Sequence, residues 1–162
     1  MSEGWKNDKK WSDQFIPHIK SILGLYLIGE PPMEEDAERN TDLMVLRMES
    51  VRIGCRIRKT DYMARYGDEI TIRSGRPSGA KTELTKIMEG WGDYFFYGFG
   101  TDADVVAWTL GDMKVFRLWF FRQLASGAKP YEKNNNSDNS SSFYAFIADL
   151  PEEFVVARKV QQ

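Results

Sequence analysis

The chain has 162 residues, of which 42% are hydrophobic and 14% aromatic, enough to build a core and to exclude disorder over most of its length. A formal charge of -2 argues against binding nucleic acid through bulk charge, and a single cysteine, Cys55, excludes an intramolecular disulfide framework and a cysteine-based zinc cluster. No run approaches the roughly 20 apolar residues of a membrane helix, and the opening MSEGWKNDKKWSDQF has no apolar stretch behind a basic start. The expectation is a soluble, cytoplasmic, single domain over residues 1–162.

In chain order, DQFIPHIKSILGLYLI places Phe15, Ile19, Ile22, Leu23 and Tyr26 at helical spacing, predicting a helix from about Pro17 to Ile28 that Gly29 and two prolines stop. An acidic piece, MEEDAERN, leads into DLMVL, and DLMVL and VRIGCRIR read as consecutive strands joined by the hairpin-length RMES. The second strand alternates Val51, Ile53, Cys55 and Ile57 inward with Arg52, Arg56 and Arg58 outward, and within that run a buried thiol is the default reading of Cys55. EITIR repeats the pattern with Ile70 and Ile72 in, and Glu69, Thr71 and Arg73 out. If the three strands share a sheet, two of them give arginines to one face.

The loop SGRPSGAKT then feeds a helix, TELTKIMEG, with Thr82 as its N-cap and Gly90 as its stop. DYFFYGF is apolar on both faces and so reads as a central or doubly covered strand, and DVVAWTL reads as a fifth. GDMKVFRLWFFRQLASG predicts an amphipathic helix burying Val115, Phe116, Trp119, Phe120 and Leu124. The tract KNNNSDNSSS, residues 133–142, reads as a flexible loop, and residues 143–160 as a last strand and a short helix. The order is α+β: a central mixed sheet of about four to six strands with flanking helices, and a core over residues 13–125.

Charge is uneven along this order. Between Val51 and Met88 nine basic residues face four acidic ones, so the window is +5 and the remainder -7, the pattern of an anion-facing surface. Arg52, Arg56, Arg58 and Arg73 on strands, with Arg76 in the loop, are candidate phosphate contacts. Cross-strand pairing with acidic residues is the competing account of the strand arginines. SGRPSGAKT fails the spacing of a G-x-x-x-x-G-K-S/T nucleotide loop, and reads either as a phosphate-holding helix entry or as a surface connection. Glu34, Glu35, Asp36, Asp42 and Glu83 are the acidic candidates for Mg²⁺, against the simpler reading of MEEDAE as a solvated face. The only histidine, His18, has no serine or cysteine that the sequence pairs with it, so it reads as surface or packing.

The order of helix, acidic residue opening a strand, polar strand, third strand, TELTK helix and aromatic strand resembles the αβββαβ core of the PD-(D/E)XK nuclease superfamily over roughly residues 13 to 99. EEDAERNTDLMVL, CRIR, EITIRS, TELTKIMEGWGDYFFYGF and VFR are also similar to a set of small uncharacterised phage and prophage proteins. The resemblance implies Mg²⁺-dependent phosphodiester hydrolysis on DNA or RNA, with Glu35 or Asp36 as the helix carboxylate and Asp42 as the strand aspartate. Where the E-x-K triplet belongs, this chain has Cys55-Arg56-Ile57 or Arg56-Ile57-Arg58, with neither glutamate nor lysine. A migrated pair on the following helix, Glu83 with Lys86, would complete a catalytic set of Asp42, Glu83 and Lys86 and a metal set of Asp36, Asp42 and Glu83. A chain that binds without cutting is the second form of this expectation. The rival expectation is an inactive phage protein that binds and inhibits a host protein.

Overall fold

A computed structural model describes residues 10–29, 44–45, 51–128, 132–135 and 140–160. The chain separates into two compact units, Met1–Ser50 and Val51–Gln162. In the first, helix α1 (Ile16–Leu27) forms where apolar residues recur about every four positions. Phe15, Ile19 and Leu23 are buried, Ile22 is half-buried and His18 is exposed. The Trp11 ring meets Phe15 edge-on at 4.9 Å. Strands β1 (Ile28–Gly29) and β2 (Met44–Val45) then pair antiparallel, Ile28 opposite Val45.

The second unit carries two sheets. Strands β3 (Ile53–Lys59), β5 (Tyr94–Gly100), β6 (Val105–Asp112) and β9 (Val155–Lys159) form a mixed four-stranded sheet in the order β3-β5-β6-β9, with β3 parallel to β5 and the other pairs antiparallel. Strands β4 (Glu69–Gly75), β8 (Ser140–Phe146) and β7 (Glu132–Asn135) form an antiparallel sheet in the order β4-β8-β7. A 3₁₀ turn (Thr60–Tyr62) and helix α2 (Met63–Tyr66) connect β3 to β4. Helix α3 (Glu83–Met88) follows β4, and α4 (Met113–Ala125) follows β6. The fold is α+β. Among the described residues no helix is long and apolar enough to cross a membrane.

β5 is central because DYFFYGF has no polar face, and every residue from Phe95 to Gly100 is buried. One face of the sheet presents Phe95, Tyr97, Phe99 and Ala107 to Ile70 and Ile72 of β4, Phe143 of β8, and Met113, Phe116 and Phe120 of α4. The other face buries Ile57, Phe96, Trp108 and Leu110, with the Phe96 and Trp108 rings stacked at 5.4 Å. α4 starts where the Asp112 carboxylate accepts the Lys114 and Val115 amides, and α3 where the Thr82 hydroxyl accepts that of Thr85. Gly90, at φ +94°, ends the α3 region as expected.

Several expectations change. The DLMVL–VRIGCRIR hairpin does not form among the described residues: β2 pairs with β1, and β3 pairs with β5. β3 and β4 lie in different sheets, so Arg73 does not join the β3 arginines on one sheet face. Glu69 and Thr71 are buried rather than outward, because β4 is covered on both sides. Cys55 is exposed, since β3 is an edge strand, although partial desolvation still raises its thiol from the ordinary 9.0. On α4 the buried stripe is Met113, Phe116 and Phe120, with Val115 and Trp119 half-buried and Leu124 exposed. Within 133–142, strands β7 and β8 run in from both ends, because main-chain pairing needs no apolar side chain. The expected C-terminal helix is a 3₁₀ turn (Glu152–Phe154) leading into β9, where VVARK follows strand propensity.

Gly111 lies directly under the Phe154 ring, and a Cβ there would overlap its Cζ and Cε atoms. Gly111→Ala must displace a fully buried ring, so we expect a loss of about 2 kcal/mol. Denaturant unfolding should show it as a lowered midpoint at unchanged slope.

Candidate functional site

The polar chemistry of the second unit gathers around β3. Arg56 leaves the sheet face opposite Tyr97 in register and reaches β4 and α3. Its Nη1 donates to the Thr71 carbonyl at 2.9 Å, and its Nη2 meets Glu83 Oε2 at 2.9 Å. The same Glu83 oxygen accepts the Arg73 amide at 3.2 Å. Thr71 and Arg73 are two apart on β4, so the main-chain groups bonded here point to the same edge. The ion pair therefore occupies the side of β4 that β8 leaves unpaired. Tyr97 lies beside it and donates its hydroxyl to Thr71 Oγ1 at 3.4 Å. Burial pushes the Tyr97 phenol above its ordinary 10.0; the Arg58 charge, the Thr71 bond and Arg56 pull it back, and Glu69 raises it.

The two ends of β3 carry arginine–aromatic pairs. At its start the Arg52 guanidinium lies 5.1 Å from the centroid of the Trp91 ring, which is 56% exposed. Asp93 holds the Arg52 backbone there, its carboxylate accepting the Arg52 amide at 2.8 Å and its own amide donating to the Arg52 carbonyl at 2.8 Å. At the other end Arg58 lies 5.1 Å from the Tyr66 ring and 5.9 Å from that of Tyr62, which is 51% exposed. Arg65 is 5.3 Å from Tyr66. Guanidinium on an aromatic face keeps its charge and its edge donors available to solvent or ligand.

The expected site residues are thus dispersed. Arg56, Arg73 and Glu83 come together, and Arg52 and Arg58 flank them along β3. Arg76 is exposed in the loop before α3, and Lys86 is exposed on α3. Asp36 and Asp42, with Glu34 and Glu35, lie outside the described residues. The Mg²⁺ set implied by the resemblance meets a chemical obstacle at Glu83, whose Oε2 is already held by a guanidinium and a main-chain amide. Among the described residues no three His, Cys, Asp or Glu side chains come together as a metal cradle. The described residues therefore do not fit the ion.

Trp91, Tyr62 and Tyr66 are members that the charge count passes over, and Arg65 entered it only as one of nine basic residues. Their signal was the aromatic spacing: Tyr62 and Tyr66 stand one helical turn apart around Arg65, and Trp91 stands between two glycines. No family model, curated protein or solved structure matches the chain.

Two measurements follow from this geometry. Arg56→Ala takes the counter-charge from a half-buried carboxylate and the side-chain donor from a strand-edge carbonyl, so unfolding free energy should fall by about 2 kcal/mol. Because the Tyr97 phenol is raised by folding, its contribution is complete below about pH 10 and is lost as pH rises through the folded value. Tyr97→Phe should flatten that alkaline fall in a melting-temperature series.

Proposed function

We propose that the chain binds single-stranded nucleic acid along β3, with the Arg52–Trp91 and Arg58–Tyr62–Tyr66 groups as its two contact points. The observation that carries this reading is the pairing of guanidinium with exposed aromatic ring at both ends of one strand. Arginine neutralises phosphate while an exposed ring offers a sequence-tolerant stacking platform for a base. Arg52 and Arg58 share strand parity, and six steps at about 3.3 Å separate them by roughly 20 Å, room for several nucleotides. Arg65 and Arg76 extend the basic tract, and Arg56 serves as the internal tie that holds β3 against β4.

Binding rather than cutting is favoured by the Glu83 carboxylate, which is engaged by Arg56 instead of standing free for a metal or water. A second reading, a protein partner, is favoured by one observation on α4: Leu118, Phe121 and Leu124 are each close to half exposed on the helix. Exposed apolar groups at this spacing suit a helix-in-groove contact.

Fluorescence anisotropy with single-stranded DNA and RNA tests the first reading. Trp91→Ala and Tyr62→Ala should each weaken binding about tenfold, the loss of one stacked base. Arg52→Gln should flatten the dependence of log affinity on log salt by about 0.7, the share of one single-strand phosphate contact. Wild-type affinity in all three variants would refute the interface, and loss of binding only in Leu118→Glu would move it to α4.

A further inference from the structure

Helix α4 gives its buried stripe, Met113, Phe116 and Phe120, to the core and still carries Leu118 and Phe121 at 52% exposure and Leu124 at 47%. A helix that is apolar on both sides is normally covered on both sides. The three exposed side chains follow one another at intervals of three, and Lys114 and Arg122 stand one helical turn before and after Leu118. Two ridges therefore cross at Leu118, an apolar one along the threes and one along the fours with a cation at each end. Ridges of these two inclinations are what a second helix packs against at a shallow crossing angle.

The charge of this face has one sign. MKVFRLWFFRQLA contains no acidic residue, and Lys114 and Arg122 are both exposed. Neither side chain makes an ion pair or a hydrogen bond with another described residue, whereas Arg117, on the flank, donates its Nη1 to the Gly92 carbonyl at 3.0 Å. Two uncommitted cations beside three exposed apolar groups select the occupant. A second copy meeting α4 about a two-fold axis through Leu118 would set Lys114 against Arg122, like charge against like. An anionic lipid surface is read by clusters of roughly four to eight basic residues, more than this face offers. Leu118 and Leu124 give a nucleobase no ring to stack on. A helix whose apolar stripe is bordered by carboxylates meets both halves of the surface.

We propose that α4 docks an acidic amphipathic helix of a protein partner, with Leu118, Phe121 and Leu124 against its apolar stripe and Lys114 and Arg122 paired with its carboxylates. The inference rests on the protein-partner reading of α4, is independent of the β3 interface, and adds the chemical class of the partner.

Fluorescence anisotropy of a labelled synthetic peptide, titrated with the full chain, tests it. The peptide has about three heptads with leucine at a and d and glutamate at e and g, so that its own copies repel one another, and a second peptide has lysine for glutamate. The glutamate peptide should bind and the lysine peptide should not. Leu118→Glu and Phe121→Glu should each weaken binding about tenfold, and Lys114→Gln with Arg122→Gln should do the same while removing most of its salt dependence. All four side chains are exposed, so thermal melting of these variants should match wild type. Equal binding of the two peptides, lost in Phe121→Glu, would overturn the acidic partner and leave an apolar protein contact standing. Binding of neither peptide, or binding that survives both Leu118→Glu and Phe121→Glu, would overturn the docking face and the protein-partner reading with it. Vesicles of phosphatidylcholine and phosphatidylglycerol that bind where the glutamate peptide does not would assign the face to lipid, and a dimer that Leu118→Glu dissolves, with no peptide bound, would assign it to a second copy; either result overturns the proposal.

Discussion

The second unit depends on how one sheet edge is closed. β4 is paired by β8 on one side, and its other side carries main-chain groups that an apolar core would leave unsatisfied. The Arg56–Glu83 pair substitutes for the missing strand: a guanidinium from β3 donates to the Thr71 carbonyl, and a carboxylate from α3 accepts the Arg73 amide. Two charges that would be costly alone neutralise each other while serving the backbone, which is the condition under which a partly buried ion pair is tolerated. One contact thereby joins both sheets and a helix.

This closure also sets where chemistry can occur. With Arg56 turned inward, the other arginines of the VRIGCRIR run, Arg52 and Arg58, are the ones left to face outward, and both lie on aromatic rings. In register Arg56 stands beside Tyr97, Tyr97 beside Thr109 and Thr109 beside Arg158, so a polar row runs from this tie across the whole sheet. Glu83, on which the expected metal set relied, accepts from the Arg56 guanidinium and the Arg73 amide.

The elements that sequence makes legible are those decided locally. β5 declares itself by having no polar face, α4 by its amphipathic period, and α3 by Thr82. What stays hidden is decided by long-range partners. The alternation in VRIGCRIR is the same whether its arginines face solvent or a second sheet, and only the position of β4 distinguishes the two. Arg158 and Asp68 are 90 residues apart, and nothing near either one announces the other. β7 reads EKNN and β8 begins with three serines, a composition that argues for a loop until a pairing partner is present.

The strand pairing also has a kinetic side. Within the four-stranded sheet only β5 and β6 are neighbours in both sequence and space. β3 must find β5 across β4 and α3, β4 must wait for residues 141–146, and β6 must wait for 155–159. Each of these closures costs loop entropy before it is rewarded, which places the second unit among slow-folding, high-contact-order topologies. Until residues 141–146 and 155–159 have been made, the edges of β4 and β6 that they pair stay open, so β8 and β9 act as the covers that keep nascent chains from pairing with one another.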